Sequence, residues 1–217
     1  MLEKVCVFLL LYFRNICKYK SVIKIRCSKR LKAIVMKSLF LFFSLLFFFA
    51  CNPNKETAVD KDNPQYDTID SSELYFRNMR KTFYDLEEMK QAGINLFRFS
   101  KRMKTNDKPI LNICLVENWR TDRAYITLEP NELLAEENPI VIHWKDLKTQ
   151  EEGTYQYKKG NKDEQYRFAT ELYTSIQKEH QLTVDIKGKE TPFLDSQEEK
   201  EAFRITMFDF YRLVTIF

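Results

Sequence analysis

The chain has few of the residues from which catalytic and metal sites are usually built. Its 217 residues include two histidines and four glycines, and the glycines are not clustered. A structural zinc site needs roughly three or four closely spaced Cys, His or carboxylate ligands, and a phosphate-binding loop needs neighbouring glycines. We therefore expect no metal and no cofactor, and we find no catalytic motif that would indicate an enzyme.

Cysteine is scarce where a folded domain is expected. Four of the five cysteines (Cys6, Cys17, Cys27 and Cys51) lie within the first 51 residues, and only Cys114 follows. A single cysteine cannot form a disulfide within the domain. Cys114 lies in the apolar run LNICLV, which predicts a buried and unreactive thiol. The domain must therefore be stabilised by burial of apolar side chains.

The chain after residue 37 carries no net positive charge. The net charge is +4, but residues 1–37 contain ten of the 35 basic and one of the 31 acidic residues. That segment carries +9, so the remaining residues carry −5. A mildly acidic domain is not suited to binding a phosphate backbone. We therefore expect no nucleic-acid partner.

One apolar run near the amino terminus is too short to cross a membrane. Lys37 is followed by Leu and Phe at most positions of residues 39–49, then by Ala50 and Cys51. A spanning helix needs about 20 apolar residues. A basic start, a short apolar centre and a small residue at the end are the three parts of a secretory signal. The chain becomes polar immediately after Cys51.

The segment 36–55 resembles the lipoprotein signal peptides of bacteria with two membranes, through Phe48, Phe49, Ala50 and Cys51. In that family the first of these positions is most often Leu, whereas here it is Phe48. The resemblance implies that a diacylglyceryl group is attached to the sulfur of Cys51, that a peptidase cleaves before Cys51, and that the protein is held to a membrane. The following residue is Asn52, not the aspartate that marks inner-membrane retention in the family, which favours the outer membrane.

These features divide the chain into four parts. Residues 1–35 are interpreted either as an extension upstream of a true translation start at Met36 or as a long cationic leader. Residues 36–50 are the expected signal peptide. Residues 51–72 are polar and contain Pro53 and Pro64, which predicts a flexible, lipidated tether. Residues 73–217 are expected to form a single globular domain.

The pattern of the domain predicts strands first and helices later. A hairpin is predicted from residues 109–119 and 124–129, and further strands from residues 140–144, 154–158 and 182–186. Residues 74–84 fit either a helix or a strand, and their aromatic content favours a strand that pairs with residues 94–101. This order indicates an α+β fold with one antiparallel β-sheet of about five or six strands.

Two carboxyl-terminal helices are expected to pack on that sheet. The first covers residues 162–180, with Asn161 as its cap and apolar residues on one face. The second begins after Ser196, because Ser196 and Glu199 have the spacing of a capping box. Phe203, Met207 and Phe210 then recur at helical spacing.

The titratable residues do not form a pattern typical of catalysis. We interpret His143 as a partly solvated surface residue and His180 as a residue whose positive charge suits a helix carboxyl end. Three adjacent acid pairs, at residues 87–88, 136–137 and 151–152, are best interpreted as solvated edges. If such carboxylates acted instead as acid and base, the protein would be an envelope hydrolase, and this is the alternative function.

Aromatic residues alternate with arginine in one region. If the strands at residues 74–84 and 94–101 pair, they would present a face for an anionic or planar partner, while the simpler alternative is that arginine stems cover buried rings. The face would comprise Arg77, Arg80, Phe83, Tyr84 and Arg98. The sequence as a whole therefore predicts a non-enzymatic cell-envelope lipoprotein that binds a protein or glycan partner or assists envelope assembly.

Overall fold

The computed structural model describes residues 59–217, which belong to one compact unit. The segment 1–35, the expected signal peptide 36–50 with Phe48, Phe49 and Ala50, and the expected lipidation site Cys51 lie outside the described residues. The first part of the expected tether, residues 52–58, also lies outside them.

The described chain contains four α-helices and eight strands, which confirms the α+β class. In chain order the elements are α1 Asp70–Tyr75, β1 Tyr84–Met89, β2 Ile94–Phe99, β3 Leu111–Asn118, β4 Arg123–Pro130, α2 Glu132–Ala135, β5 Ile140–Lys145, β6 Glu152–Tyr157, α3 Lys162–Gln177, β7 Gln181–Ile186, β8 Lys189–Pro192 and α4 Gln197–Leu213. Within residues 59–217, no helix has the length and apolar character needed to cross a bilayer.

The strands form two antiparallel sheets of four strands, not the single sheet predicted. Sheet A has the order β1-β2-β3-β4, and sheet B has the order β6-β5-β7-β8. The short helix α2 separates β4 from β5, and β5 then pairs with β6 and β7 instead of continuing sheet A. Alternation of apolar residues predicts strands but does not identify their partners, which is why the count of sheets was wrong.

A single apolar core joins both sheets and the two long helices. Helix α3 contacts β4 of sheet A and β6 of sheet B, while α4 packs on β3 and β4. Tyr166, Tyr173 and Tyr211 are fully buried where α3 and α4 meet, and the rings of Tyr173 and Tyr211 lie edge to face at 5.2 Å. The inward faces of the strands complete the core. One face of sheet B is therefore covered by α3, and its other face is open to solvent.

The two long helices begin where their caps predict. The Asn161 side chain accepts hydrogen bonds from the amides of Asp163 and Glu164. Ser196 and Glu199 form a reciprocal capping box at the start of α4. Each cap satisfies backbone N–H groups that have no partner within the helix, so the helix starts are determined locally.

The segment at residues 74–83 is helical, so the strand predicted there is wrong except at Tyr84. Helix α1 continues into a π-helical turn at Phe76–Arg80 and a 3-10 turn at Lys81–Phe83 before β1 begins. Phe76 is buried while Leu74 is 60% exposed, as a helix permits and an alternating strand does not. Burial of Phe76 against the ring of Phe97, at 5.0 Å, outweighs the local preference for a strand.

The folded module begins earlier than the predicted boundary at residue 73. Val59 packs against the core, and the hydroxyl of Tyr166 donates to the backbone carbonyl of Asp60 at 3.0 Å. Tyr66 donates to Asp163 at 2.7 Å, so residues 59–66 lie along α3. The second half of the predicted tether is therefore part of the fold, because its few apolar and aromatic side chains find a preformed helix surface.

Candidate functional site

The open face of sheet B is organised around its central strand, β5. His143 lies opposite Thr154 of β6 and Thr183 of β7, and Lys145 lies opposite Glu152 and Gln181. Side chains alternate between the two faces of a strand, and Ile142 is fully buried in the core. His143, Lys145 and their cross-strand neighbours therefore share the solvent face.

This face forms a groove of about 420 Å³. That volume lies within the range of roughly 300–1,000 Å³ that is common for ligand sites. Four strands contribute to the groove, and most of its side chains are polar. It is lined by His143, Trp144, Lys145, Glu152, Gly153, Thr154, Gln181, Thr183 and Glu190.

The charged groups of the groove are paired within the molecule. The ammonium of Lys145 lies 4.0 Å from the Glu152 carboxylate. The ring nitrogen Nε2 of His143 lies 3.0 Å from Asp185, and the hydroxyl of Thr183 donates to Glu190. Carboxylates outnumber lysine and arginine side chains along the lining, so the groove has a weakly acidic character.

A buried polar network supports the groove from the side of α3. The hydroxyls of Tyr155 and Ser175 are hydrogen-bonded at 2.9 Å, and Ser175 Oγ lies 3.1 Å from Nδ1 of His180. The His180 ring stacks on Trp144 with 4.7 Å between centroids. A Cβ atom at Gly153 would lie 2.8 Å from the Trp144 ring, so glycine is required there for the ring to keep this position.

Ser175, His180 and Asp146 resemble a catalytic triad in composition but not in geometry. Ser175 is fully buried, so its hydroxyl is closed to a substrate in this conformation. His180 Nε2 lies 4.0 Å from Asp146, which is beyond a hydrogen bond. The serine faces Nδ1 and not the Nε2 atom that serves as base in the serine protease triad. The network joins the end of α3 to sheet B.

Burial of His180 favours its neutral form, in contrast to the charged residue expected at a helix end. His180 lies just beyond the carboxyl end of α3, but it is only 6% exposed. Burial lowers the pKa of His180 below its usual value, and the nearby carboxylate of Asp146 only partly opposes this effect. The ring stacks on Trp144 and is hydrogen-bonded to Ser175. It is therefore shielded from the solvent that would stabilise a charged ring.

We expect this burial to make the fold less stable in mild acid. Above the unfolded pKa of about 6.5 both states are neutral and the contribution is complete. As the pH falls below about 6.5, the unfolded chain binds a proton that folded His180 rejects, and stability falls by at most about 1.4 kcal/mol per pH unit until the lower folded pKa is reached.

Urea unfolding at pH values between 7.5 and 5.0 measures this dependence. His180→Gln removes the titrating group and should flatten the curve in this window. Equal slopes in the wild type and His180→Gln would contradict the assignment.

The predicted partner face is only partly assembled. The guanidinium of Arg80 stacks over Phe83 at 4.8 Å, and the buried hydroxyl of Tyr84 donates to Asp209 at 2.6 Å. Arg98 lies on the opposite face of sheet A from Tyr84, because it pairs across the strands with Asp85. The five residues therefore do not form one surface.

The arginines of that predicted face are neutralised by carboxylates of the same chain. Arg77 contacts Glu73 at 2.8 Å and Glu117 at 3.4 Å. Arg98 contacts Glu87 at 2.7 Å and Glu129 at 2.8 Å. These contacts favour the simpler interpretation, in which the arginine stems cover buried rings and the guanidinium groups form ion pairs within the fold.

Two of the three adjacent acid pairs are placed by the fold: Glu87 and Glu88 diverge on a strand, and Glu136 and Glu137 both contact Lys187, whose backbone N–H donates to Glu137 at 2.9 Å. Glu87 and Glu88 are successive residues of β1 and therefore point to opposite faces. Glu136 is ion-paired with Lys187 at 2.9 Å. Within residues 59–217 no cluster of three or more His, Cys, Asp or Glu residues could hold a metal ion.

The sequence interpretation missed most of the groove. Its polar residues alternate along β5, β6 and β7, which marks one solvent face on each strand, but β8 was not predicted and the pairing of the strands is not local information. The sequence matches no family model and no curated protein, and the structure matches no solved structure.

Proposed function

We propose that this protein is a cell-envelope lipoprotein, anchored through lipid on Cys51 and directed to the outer membrane. The observation that carries the proposal is the sequence itself: a basic residue, a short apolar run, and then Ala50 and Cys51. Each methylene of an acyl chain that is buried in the bilayer contributes about 0.8 kcal/mol of binding free energy. Two or more chains on the terminal cysteine are therefore needed for stable retention. The anchor would hold a folded module at a membrane surface without a spanning helix.

We propose further that the folded module is a non-enzymatic binding module and that the groove of sheet B is its binding site. The groove has room for about 420 Å³. A second concavity of the described residues, lined in part by Phe99 and Phe203, has room for only about 10 Å³. A concave site with several polar groups is the arrangement expected for ligand recognition.

Metabolic labelling with a fatty-acid analogue in the native host tests the anchor. The wild-type protein should be labelled and should fractionate with outer membranes, whereas Cys51→Ala should lose the label completely. Cys114→Ala is the matched control: Cys114 is 1% exposed and burial raises its pKa to about 11, so it is a poor acylation site. Equal labelling of wild type and Cys51→Ala would refute the anchor.

A further inference from the structure

We infer that the sheet B groove binds a glycan chain that carries no net charge. This inference rests on the proposed function of the groove as a binding site and names the chemical class of its ligand. Three properties of the groove carry it: the groove lies on a sheet face, it has no unpaired cation, and its side chains both donate and accept hydrogen bonds.

Because the groove lies on the face of sheet B, only side chains are available to contact a ligand. Strand β5 is paired on both sides, with β6 and with β7. Its backbone N–H and C=O groups are therefore already used within the sheet. Extended peptides are commonly bound by adding a strand to a free sheet edge, and this mode cannot operate in the centre of the groove.

The charges of the groove disfavour an anionic ligand. Phosphate and carboxylate ligands are usually held by arginine or lysine. The lining contains a single such residue, Lys145, and its ammonium is already beside Glu152. Glu190 is a second carboxylate of the lining, and its partner there is the Thr183 hydroxyl and not a cation. An incoming phosphate would meet net negative charge.

A strongly cationic ligand is also a poor match. Each carboxylate of the lining already faces a polar group of its own chain: Glu152 lies 4.0 Å from the Lys145 ammonium, and Glu190 accepts a hydrogen bond from the Thr183 hydroxyl. These contacts reduce the attraction that the carboxylates exert on a second cation. They leave further lone pairs free to accept hydrogen bonds from neutral donors.

The remaining groups match the hydroxyls of a sugar. Thr154 and Gln181 lie on either side of β5, and both can donate and accept hydrogen bonds. Each sugar hydroxyl likewise donates and accepts. Neighbouring strands place such side chains about 4.8 Å apart and alternate residues of one strand about 7 Å apart, so several hydroxyls of one chain can be contacted together.

The test is calorimetric titration of the full chain, in detergent, with neutral N-acetylglucosamine and glucose oligosaccharides. We expect saturable binding of at least one neutral oligosaccharide. Thr154→Val removes one hydroxyl and should weaken binding about two- to tenfold, the effect of one hydrogen bond. The double variant Thr154→Val, Gln181→Leu should weaken it further.

The matched control is Thr127→Val, the same substitution on the outer face of sheet A, opposite Cys114; it should bind like the wild type. Thermal unfolding of each variant shows whether it is folded. The single variant Thr154→Val changes an exposed side chain. It therefore still tests the inference if the double variant fails to fold.

Three outcomes would overturn the inference: no binding of any of these neutral oligosaccharides, binding that the folded Thr154→Val and double variants leave unchanged, or tighter groove-dependent binding of heparin or a lysine-rich peptide. Failure here is separable from failure of the anchor. Cys51→Ala should bind oligosaccharides like the wild type, so an unlabelled wild-type protein that binds glycans would refute the anchor alone, and a labelled protein that binds none would refute the glycan alone.

Discussion

Replacement of Asp209 by alanine is expected to lower the free energy of unfolding by about 3–5 kcal/mol, the cost of breaking one side of a buried ion pair. The Asp209 side chain is 2% exposed, and its two oxygens lie 2.8 and 2.9 Å from Nε of Arg80. It also accepts a hydrogen bond from Tyr84. Removal of the carboxylate leaves the guanidinium and the hydroxyl without their partner in a largely apolar region.

The contact joins three parts of the chain that are distant in sequence. Arg80 ends the π-helical turn, Tyr84 begins β1, and Asp209 lies in α4. Burial and the negative charge of Asp209 raise the pKa of Tyr84, so its hydroxyl keeps the proton that it donates. Loss of Asp209 should therefore loosen the packing of the amino-terminal helical segment on α4.

Urea denaturation of Asp209→Ala measures the effect, with Glu201→Ala as the control. Glu201 lies on the same helix and pairs with Arg204 at 2.7 Å, but it is 40% exposed, and exposed pairs contribute about 0–1 kcal/mol. The triple replacement Arg80→Met, Tyr84→Phe, Asp209→Leu removes all the polar partners together and should recover part of the loss. Similar small losses for Asp209→Ala and Glu201→Ala would contradict the buried pair.

Replacement of Phe76 by alanine should be about as damaging, with an expected loss of about 3–5 kcal/mol. Phe76 is 2% exposed, and its ring lies 5.0 Å from that of Phe97 and 5.6 Å from that of Tyr84. Alanine is a good helix former, so the loss would come from the lost packing and from the cavity left behind.

Leu74→Ala is the discriminating control for Phe76→Ala. Leu74 is 60% exposed, and its replacement should change stability by no more than about 0.5 kcal/mol. In a strand, residues two apart share a face, so both replacements would be either costly or harmless. Thermal or urea unfolding of the two variants therefore tests the helical geometry directly, and equal losses would favour the strand.

The sequence predicted those elements whose signals are local. The caps at Asn161 and Ser196 predicted the starts of α3 and α4, because a capping side chain contacts amides only two or three residues away. The hairpin of β3 and β4 was also predicted, since apolar alternation on both sides of a short polar turn is a local pattern. Cys114 is buried, as its apolar surroundings predicted.

Where the outcome depends on distant residues, the predictions were wrong or incomplete. The aromatic segment at residues 74–83 has a local preference for strand, but the contact of Phe76 with Phe97 decided for helix. His180 was expected to be charged because it follows a helix end. Its burial beside Trp144 and Ser175 favours the neutral form, and neither neighbour is visible from the local sequence.

The sequence alone determined the α+β class, the positions of the long helices, and the expectation of a lipid anchor at Cys51, which stays a prediction. Tertiary structure alone decided the division into two sheets, the docking of residues 59–66 along α3, and the groove on sheet B. The physical reason is that periodicity and caps act over a few residues, whereas strand pairing brings β5, β6, β7 and β8 together across about 50 residues of chain. The groove exists only once those four strands share one face.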